Sequence, residues 1–289
     1  MPLLPYYGLL TLSVVMFGAQ FFFNDKYQRK CGNTAYAAFI FSFVGSVAAV
    51  LCLAFIAKFD FSLTFFAAIW AVVVATNNLL FTLCSLKALE RVNLSVFSLF
   101  SMLGGMLLPF ITGILFYNEP ITLGKGVCVV LITAALVMTV TKSADGKGGG
   151  LYYLGVFALN GMCGVLTKIY EDATLPKVSD ASFSLWVAIA STLISGAALL
   201  IIRSGRTRLT PLSIALGAGG GLLEKVANYF LLIALAVLPA SVQYPFITGG
   251  VMIASTLFAY LTPDKPKARE LIAIGVSFVG LMALVLIPI

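Results

Sequence analysis

The stretch Lys142-Ser-Ala-Asp-Gly-Lys-Gly-Gly-Gly150 stands at the middle of a 289-residue chain and differs from everything on either side of it. Glycine and small polar residues make it a flexible connector, whereas the flanking sequence is a succession of apolar runs broken by short polar turns. The fold turns on whether this connector joins two unrelated halves or two copies of one unit. Sliding the chain by 146 residues places Tyr6-Tyr7 on Tyr152-Tyr153, Met16 on Met162, Gly18 on Gly164 and Asp25 on Glu171. The same offset carries Ala88-Leu89 onto Ala234-Leu235, Ser95-Val96 onto Ser241-Val242, Phe100 onto Phe246, Gly104 onto Gly250, Met106 onto Met252 and Pro120 onto Pro266. One offset serves runs spread along the whole half. The halves, 1–145 and 146–289, read as a duplication.

Composition says where such a chain lives. It is 61% hydrophobic and 10% charged, with a mean hydropathy of +1.05. A soluble domain carries roughly 25% charged residues, so a water-facing surface is excluded, and with it a soluble catalytic or nucleic-acid-binding domain. A transmembrane helix takes about 20 apolar residues. Runs of that length predict ten spans, near 5–24, 34–57, 63–86, 94–117, 121–141, 151–170, 182–202, 211–237, 240–261 and 270–288. The turns between them include Asp25 to Asn33 and Glu171 to Asp180.

Five spans per half is odd, so the second copy must enter the bilayer upside down, the inverted-repeat plan common among transporters. The basic residues agree. Of 18 Lys and Arg, 13 fall in the connections after odd-numbered spans, four belong with those after even-numbered spans, and Lys225 lies within a span. Positive loops stay in the cytoplasm, which predicts a multi-pass cell-membrane protein with both termini outside. Met1-Pro-Leu-Leu-Pro5 lacks the basic start of a cleavable signal peptide, so the first span is expected to be retained. The expected fold class is therefore an all-α membrane protein, ten transmembrane helices arranged as two inverted five-helix repeats.

The chain contains no histidine. That removes zinc hydrolases, bis-histidine haem carriers and Ser-His triads, each of which needs imidazole. The five cysteines form no CxxC pair and read as small buried hydrophobes rather than as a disulfide framework. No cofactor or metal is expected.

Polar groups inside spans cost energy and mark function or packing. The eighth span is the richest: Gly217-Ala-Gly-Gly-Gly221 precedes Glu224, Lys225, Asn228 and Tyr229. Glu224 and Asn228, four apart, share a helix face. Glu224 and Lys225 are adjacent, about 100° apart on the helix, and are expected to be poor partners that look elsewhere. The glycines allow close helix approach near the midplane. The 146-residue equivalent of Glu224 is Asn78, beside Asn77 in the third span. Gln20, Asn160 and Lys168 lie in the first and sixth spans, Ser98 in the fourth and Tyr244 in the ninth. Gln20, Asn77, Asn78, Ser98, Asn160, Lys168, Glu224, Lys225, Asn228 and Tyr244 are the expected substrate-binding set. Glu119, at a helix end, reads as structural. An alternative for the pair in the eighth span has Lys225 reaching toward headgroups from near a helix end.

Ala88-Leu89-Glu90-Arg91, then Gly113-Ile-Leu-Phe-Tyr-Asn-Glu119-Pro-Ile-Thr122 and Gly126, resemble the drug/metabolite transporter superfamily, in its ten-helix EamA-type branch. The second half repeats the pattern more weakly through Ala234-Leu235, Pro245 and Gly275. The resemblance implies a duplicated five-helix transporter without naming a substrate. This chain departs from it in having Lys265, beside Asp264, where Glu119 would repeat. Gln20 stands in a first span that has no carboxylate, unlike the related four-helix multidrug exporters. The family often places both termini in the cytoplasm, opposite to the charge count.

The functional expectation is a secondary transporter, not an enzyme, that moves a small polar metabolite such as an amino acid by alternating access. Its expected partners are that substrate, the lipid bilayer and a coupling proton or ion; a monomer suffices, and nucleic acid is not expected. A lipid flippase of the same fold and a small multidrug exporter are the alternatives. A membrane-embedded enzyme is disfavoured because Glu224 is the one carboxylate placed clearly within a span.

Overall fold

The computed structural model describes residues 3–32, 34–89, 94–139, 150–202, 210–259 and 268–287; within these, the side chains at 25, 83, 85–89, 94–99, 139, 150–153, 259, 270 and 285 are outside the description. The described residues form ten helices: α1 (Leu4–Cys31), α2 (Ala35–Ile56), α3 (Phe65–Leu89), α4 (Leu94–Tyr117), α5 (Leu123–Thr139), α6 (Gly150–Asp172), α7 (Asp180–Ile201), α8 (Pro211–Leu235), α9 (Ala240–Ala259) and α10 (Ala268–Leu286). Among the described residues, six helices are long and apolar enough to cross a membrane: α1, α2, α3 over Phe65–Thr82, α4 over Phe100–Tyr117, α7 and α8. Two shorter apolar stretches, Leu123–Met138 and Leu271–Leu284, lie in α5 and α10. Leu51, Phe55, Phe65, Leu193 and Leu200 stand exposed on the outside, a surface suited to lipid rather than water.

The helices begin and end where local chemistry directs them. Thr34 caps α2 by accepting from the Ala37 N–H, and Ser179 caps α7 by accepting from Ser182. At α8, Thr210 and Ser213 satisfy each other's backbone N–H groups in a capping box, with Pro211 at the first helical position. These caps fix the first residue of α8.

The first helix is longer than the sequence implies. The polar run expected to turn at Asp25 continues as helix to Cys31. Two buried contacts account for it: the Tyr27 hydroxyl donates to the Ala37 carbonyl at 2.8 Å, and its ring meets Phe41 edge-on at 5.0 Å. Arg29 and Lys30 in the last turn suit the negative end of the helix dipole. The helix stops at Gly32, whose φ of 77° lies in the left-handed region open to glycine.

Neighbours are drawn mostly from opposite halves of the chain. The helix α1 packs on α8 and α9, α6 packs on α3 and α4, α2 lies against α7 and α8, and α5 lies against α10. Close contacts give the directions. Val14 meets Gly250 and Gly18 meets Ala254, so α1 and α9 run parallel; Gly104 meets Phe157 and Pro109 meets Gly164, so α4 and α6 do likewise. By contrast α1 and α8 are antiparallel, with Tyr27 near Gly217 and Ser13 bonding the Ala227 carbonyl. A very close approach joins α2 and α8, where a Cβ on Gly221 would sit 2.4 Å from the Gly45 Cα. Only glycine on both helices permits that spacing.

Candidate functional site

Seven helices, α1, α2, α3, α4, α6, α8 and α9, enclose a cavity of about 440 Å³ between the two halves. Small-molecule sites run from roughly 300 to 1,000 Å³. The cavity extends to the α1–α2 connection, where Gln28, Gly32 and Thr34 line it. Much of its wall comes in pairs 146 residues apart: Phe17 and Cys163, Phe21 and Thr167, Asn78 and Glu224, Thr82 and Asn228, Met102 and Thr248, Gly105 and Val251.

The charge sits on α8. Glu224 is the fourteenth residue of this 25-residue helix, so neither it nor Lys225 lies near a helix end. Contrary to the sequence expectation, the two adjacent side chains bond to each other, Lys225 Nζ to Glu224 Oε1 at 3.1 Å. The angular separation of neighbouring residues governs short side chains; here the four-carbon lysine stem and two-carbon glutamate stem swing round the helix surface and meet in the cavity wall. The second carboxylate oxygen accepts from Gln20 Nε2 on α1 at 3.4 Å. Asn228 turns back to donate to the Glu224 backbone carbonyl at 2.8 Å. Glu224 and Lys225 are the only charged side chains among the described residues lining the cavity.

Around this pair the wall is neutral and largely apolar, with Phe17, Phe41 and Phe81 in it, and a few polar groups are set among these side chains. Asn160 donates to the Ser101 carbonyl at 2.6 Å, the Cys163 thiol reaches Asn78 Oδ1 at 3.0 Å, and the Tyr244 hydroxyl donates to the Gly164 carbonyl at 2.9 Å. The last bond fastens α9 to α6 close to Pro109 and Pro245, which stand inside α4 and α9.

The opposite end of the cavity is sealed. Three of its wall residues, Thr167, Leu231 and Tyr244, lie within about a turn of an ionic cluster joining both halves. Glu119, in the α4–α5 connection, accepts the Ala240 and Ser241 N–H groups at 2.9 and 2.8 Å, closing the first turn of α9. Lys168 of α6 lies 3.7 Å from Glu119 Oε1 and 2.8 Å from Asp172 Oδ2, with the Tyr117 ring 5.0 Å from its ammonium. Both are nearly sealed from solvent, Glu119 at 8% and Lys168 at 9% side-chain exposure, against 32% for Glu224. The motif around Glu119 has a local cause. Asn118 adopts φ 52°, a left-handed turn that asparagine tolerates, and a Cβ at Gly113 would fall 2.7 Å from Glu119 Oε2. The glycine leaves room for the carboxylate.

The same end carries a second set of ties between the halves. Trp186 donates to the Ser62 carbonyl at 3.1 Å, Thr64 to the Pro176 carbonyl at 2.8 Å, and Ser182 to Asp60 Oδ2 at 3.0 Å. Beneath them Tyr170 stacks on Phe183 at 3.6 Å and on Phe66 at 5.6 Å.

Seven of the ten residues singled out from sequence thus share the cavity: Gln20, Asn78, Asn160, Glu224, Lys225, Asn228 and Tyr244. Asn77 is buried against α6 instead, donating to the Leu159 carbonyl at 3.0 Å. Lys168 belongs to the sealing cluster rather than to the described cavity wall. Ser98 lies on α4 with its side chain outside the described residues. The structure adds Asn24 and Cys163 to the wall. Asn24 follows Gln20 by one helical turn, at the position where the apolar run of the first span ends and α1 continues. Among the described residues, no three His, Cys, Asp or Glu side chains come together as a metal site.

No family model matches this chain, and no curated protein matches it in sequence. In fold, 29 solved chains match. One of them, described only as the crystal structure of a protein, superposes with a TM-score of 0.75 over 98% of this chain and 96% of its own, at 11% identity. The fold is shared. At that identity the likeness speaks to nothing further.

Proposed function

We propose that this chain is a secondary transporter of a small polar metabolite, an amino acid or similar compound, built from two inverted five-helix repeats and working by alternating access. The observation that carries this reading is the pairing of one cavity, with a charged pair in its wall and reaching one end of the bundle, with an ionic cluster at the other end. A carrier caught facing one side has that form.

The repeat reading draws support from helix contacts. Exchanging α1–α5 with α6–α10 turns the α1–α8 and α1–α9 contacts into α6–α3 and α6–α4, which also occur. With α1 parallel to α9, α4 parallel to α6 and short connections between successive helices, α6 runs opposite to α1, as inversion requires. The paired wall positions and the resemblance of the Gly113–Thr122 segment to the EamA-type branch point the same way.

On this reading all ten helices span the cell membrane. The basic connections, among them the one between α1 and α2, face the cytoplasm, so the cavity opens inward and both termini lie outside. Glu224 and Lys225 bind the charged ends of the substrate, with Gln20, Asn78, Asn160 and Asn228 completing the polar lining. Transport breaks the Glu119–Lys168 seal on the outer side while the inner side closes.

A thermal-shift screen of purified protein against polar metabolites, followed by flux of the hits into reconstituted vesicles, tests the reading. Saturable flux lost in Glu224→Ala and Lys225→Ala supports it. Flux unchanged in both variants removes the site assignment, and no flux with any hit removes the transport reading.

A further inference from the structure

The cavity's charge balance bears on the substrate and on the return step, and the inference rests on the transport reading above. We infer that this carrier takes a zwitterion whose ammonium faces Glu224 and whose carboxylate faces Lys225, and that the unloaded cavity is neutral enough to return without cargo.

The empty site is already self-neutralised. Glu224 is held by Lys225 at 3.1 Å and by Gln20 at 3.4 Å, and no other charged side chain lines the cavity among the described residues. Charges in a low-dielectric wall are tolerated as pairs and penalised when one partner is left alone. An amine lacking a carboxylate would take Glu224 and strand Lys225; a carboxylate lacking an amine would do the reverse. A zwitterion divides the pair and compensates both members at once. The long Gln20 bond is easily displaced, and Asn228, having committed its N–H to the Glu224 carbonyl, keeps its own carbonyl oxygen as an acceptor for an ammonium.

The return step follows from the same balance. A cavity lined by an uncompensated charge resists closing when empty, because occlusion would trap that charge. Here the re-formed Glu224–Lys225 pair leaves no net charge to trap. Neither the loaded nor the empty cavity then carries net charge across the bilayer, so a membrane potential does no work on either step.

The test uses the full chain in vesicles and three matched radiolabelled panels: neutral amino acids, the amines made by removing their carboxylates, and the 2-hydroxy acids made by replacing their amines. The expected result is that amino acids are carried faster than either other panel by more than about tenfold. Their uptake into empty vesicles should match uptake into preloaded ones and stay unchanged under imposed potentials of either sign. Glu224→Gln should shift preference toward the hydroxy acids and Lys225→Met toward the amines, whereas a merely structural pair would lower all panels together.

Faster flux of amines or hydroxy acids by the native protein overturns the zwitterion assignment but leaves the transport reading standing. Uptake that requires preloading, or that follows the potential, overturns the neutral return. Flux of none of the three panels overturns the inference; if the metabolite screen yields another flux-competent substrate, transport itself survives.

Discussion

Glu119 and Glu224 are both carboxylates beside a lysine inside one helical bundle, and they differ in what surrounds them. Glu119 has each oxygen on a backbone N–H of α9 and a lysine that is itself shared with Asp172, and both Glu119 and the lysine are nearly closed off from solvent. Glu224 has a neighbouring lysine, one long amide bond and an open cavity in front of it. A carboxylate whose acceptor sites are all used by the protein is a structural joint. One with a weak bond and space before it is available to a ligand. The residue type does not separate the two; the count of partners does.

Removing each carboxylate should break the comparison in opposite ways. Glu119→Ala leaves Lys168 without one partner and uncaps α9, and losing one member of a buried pair costs about 3–5 kcal/mol. Denaturant unfolding in detergent should show that loss. Next in size, Gly221→Leu forces α2 and α8 apart at their tightest contact, with an expected loss of about 1–3 kcal/mol in the same assay. Glu224→Ala, in the part-exposed cavity wall, should cost less stability than Glu119→Ala while abolishing flux of the native substrate. A large stability loss at Glu224 with flux retained would reverse the roles assigned to the two sites.

The smallest effect concerns the sealed end's outer ties. Asp60 accepts from the Ser62 backbone N–H and hydroxyl and from the Ser182 hydroxyl, and these bonds hold its carboxyl below the usual aspartate range. A carboxyl with a lowered folded-state pKa stabilises above its unfolded value, about 3.9, and that stabilisation disappears as pH falls through the folded value. Acid titration of the unfolding midpoint should therefore slope more steeply in the native protein than in Asp60→Asn. Identical slopes would mean that the Asp60–Ser182 tie does not contribute.

Much of this arrangement is legible in the chain because span length and the 146-residue offset are additive signals, spread over many residues. The starts of α4, α8 and α9 fall where the apolar runs begin, at Leu94, Pro211 and Ala240. The end of α1 was hidden, because the contacts that carry the helix past Asp25 lie on α2, and no local rule foresees the bond from Tyr27 to Ala37. The site was visible as a set of costly polar groups but not as a network. Helical angles correctly place Glu224 and Asn228 on one face and wrongly separate Glu224 from Lys225, since long side chains bridge what Cβ directions divide. Lys168 reads like a cavity residue until the α4–α5 connection is folded against α9, bringing Glu119 within reach.

Cys163 offers the most direct test of a cavity that faces one side at a time, because it lies on the wall beside Asn78. With Cys31, Cys52, Cys84 and Cys128 replaced by alanine, a membrane-impermeant thiol reagent can be applied to either face of oriented vesicles. Labelling should be fast from the face that carries the α1–α2 connection, slow from the face of the Glu119–Lys168 cluster, and faster from that second face in Glu119→Ala. Equal labelling from both faces of the native seal, or from neither, would contradict a one-sided cavity.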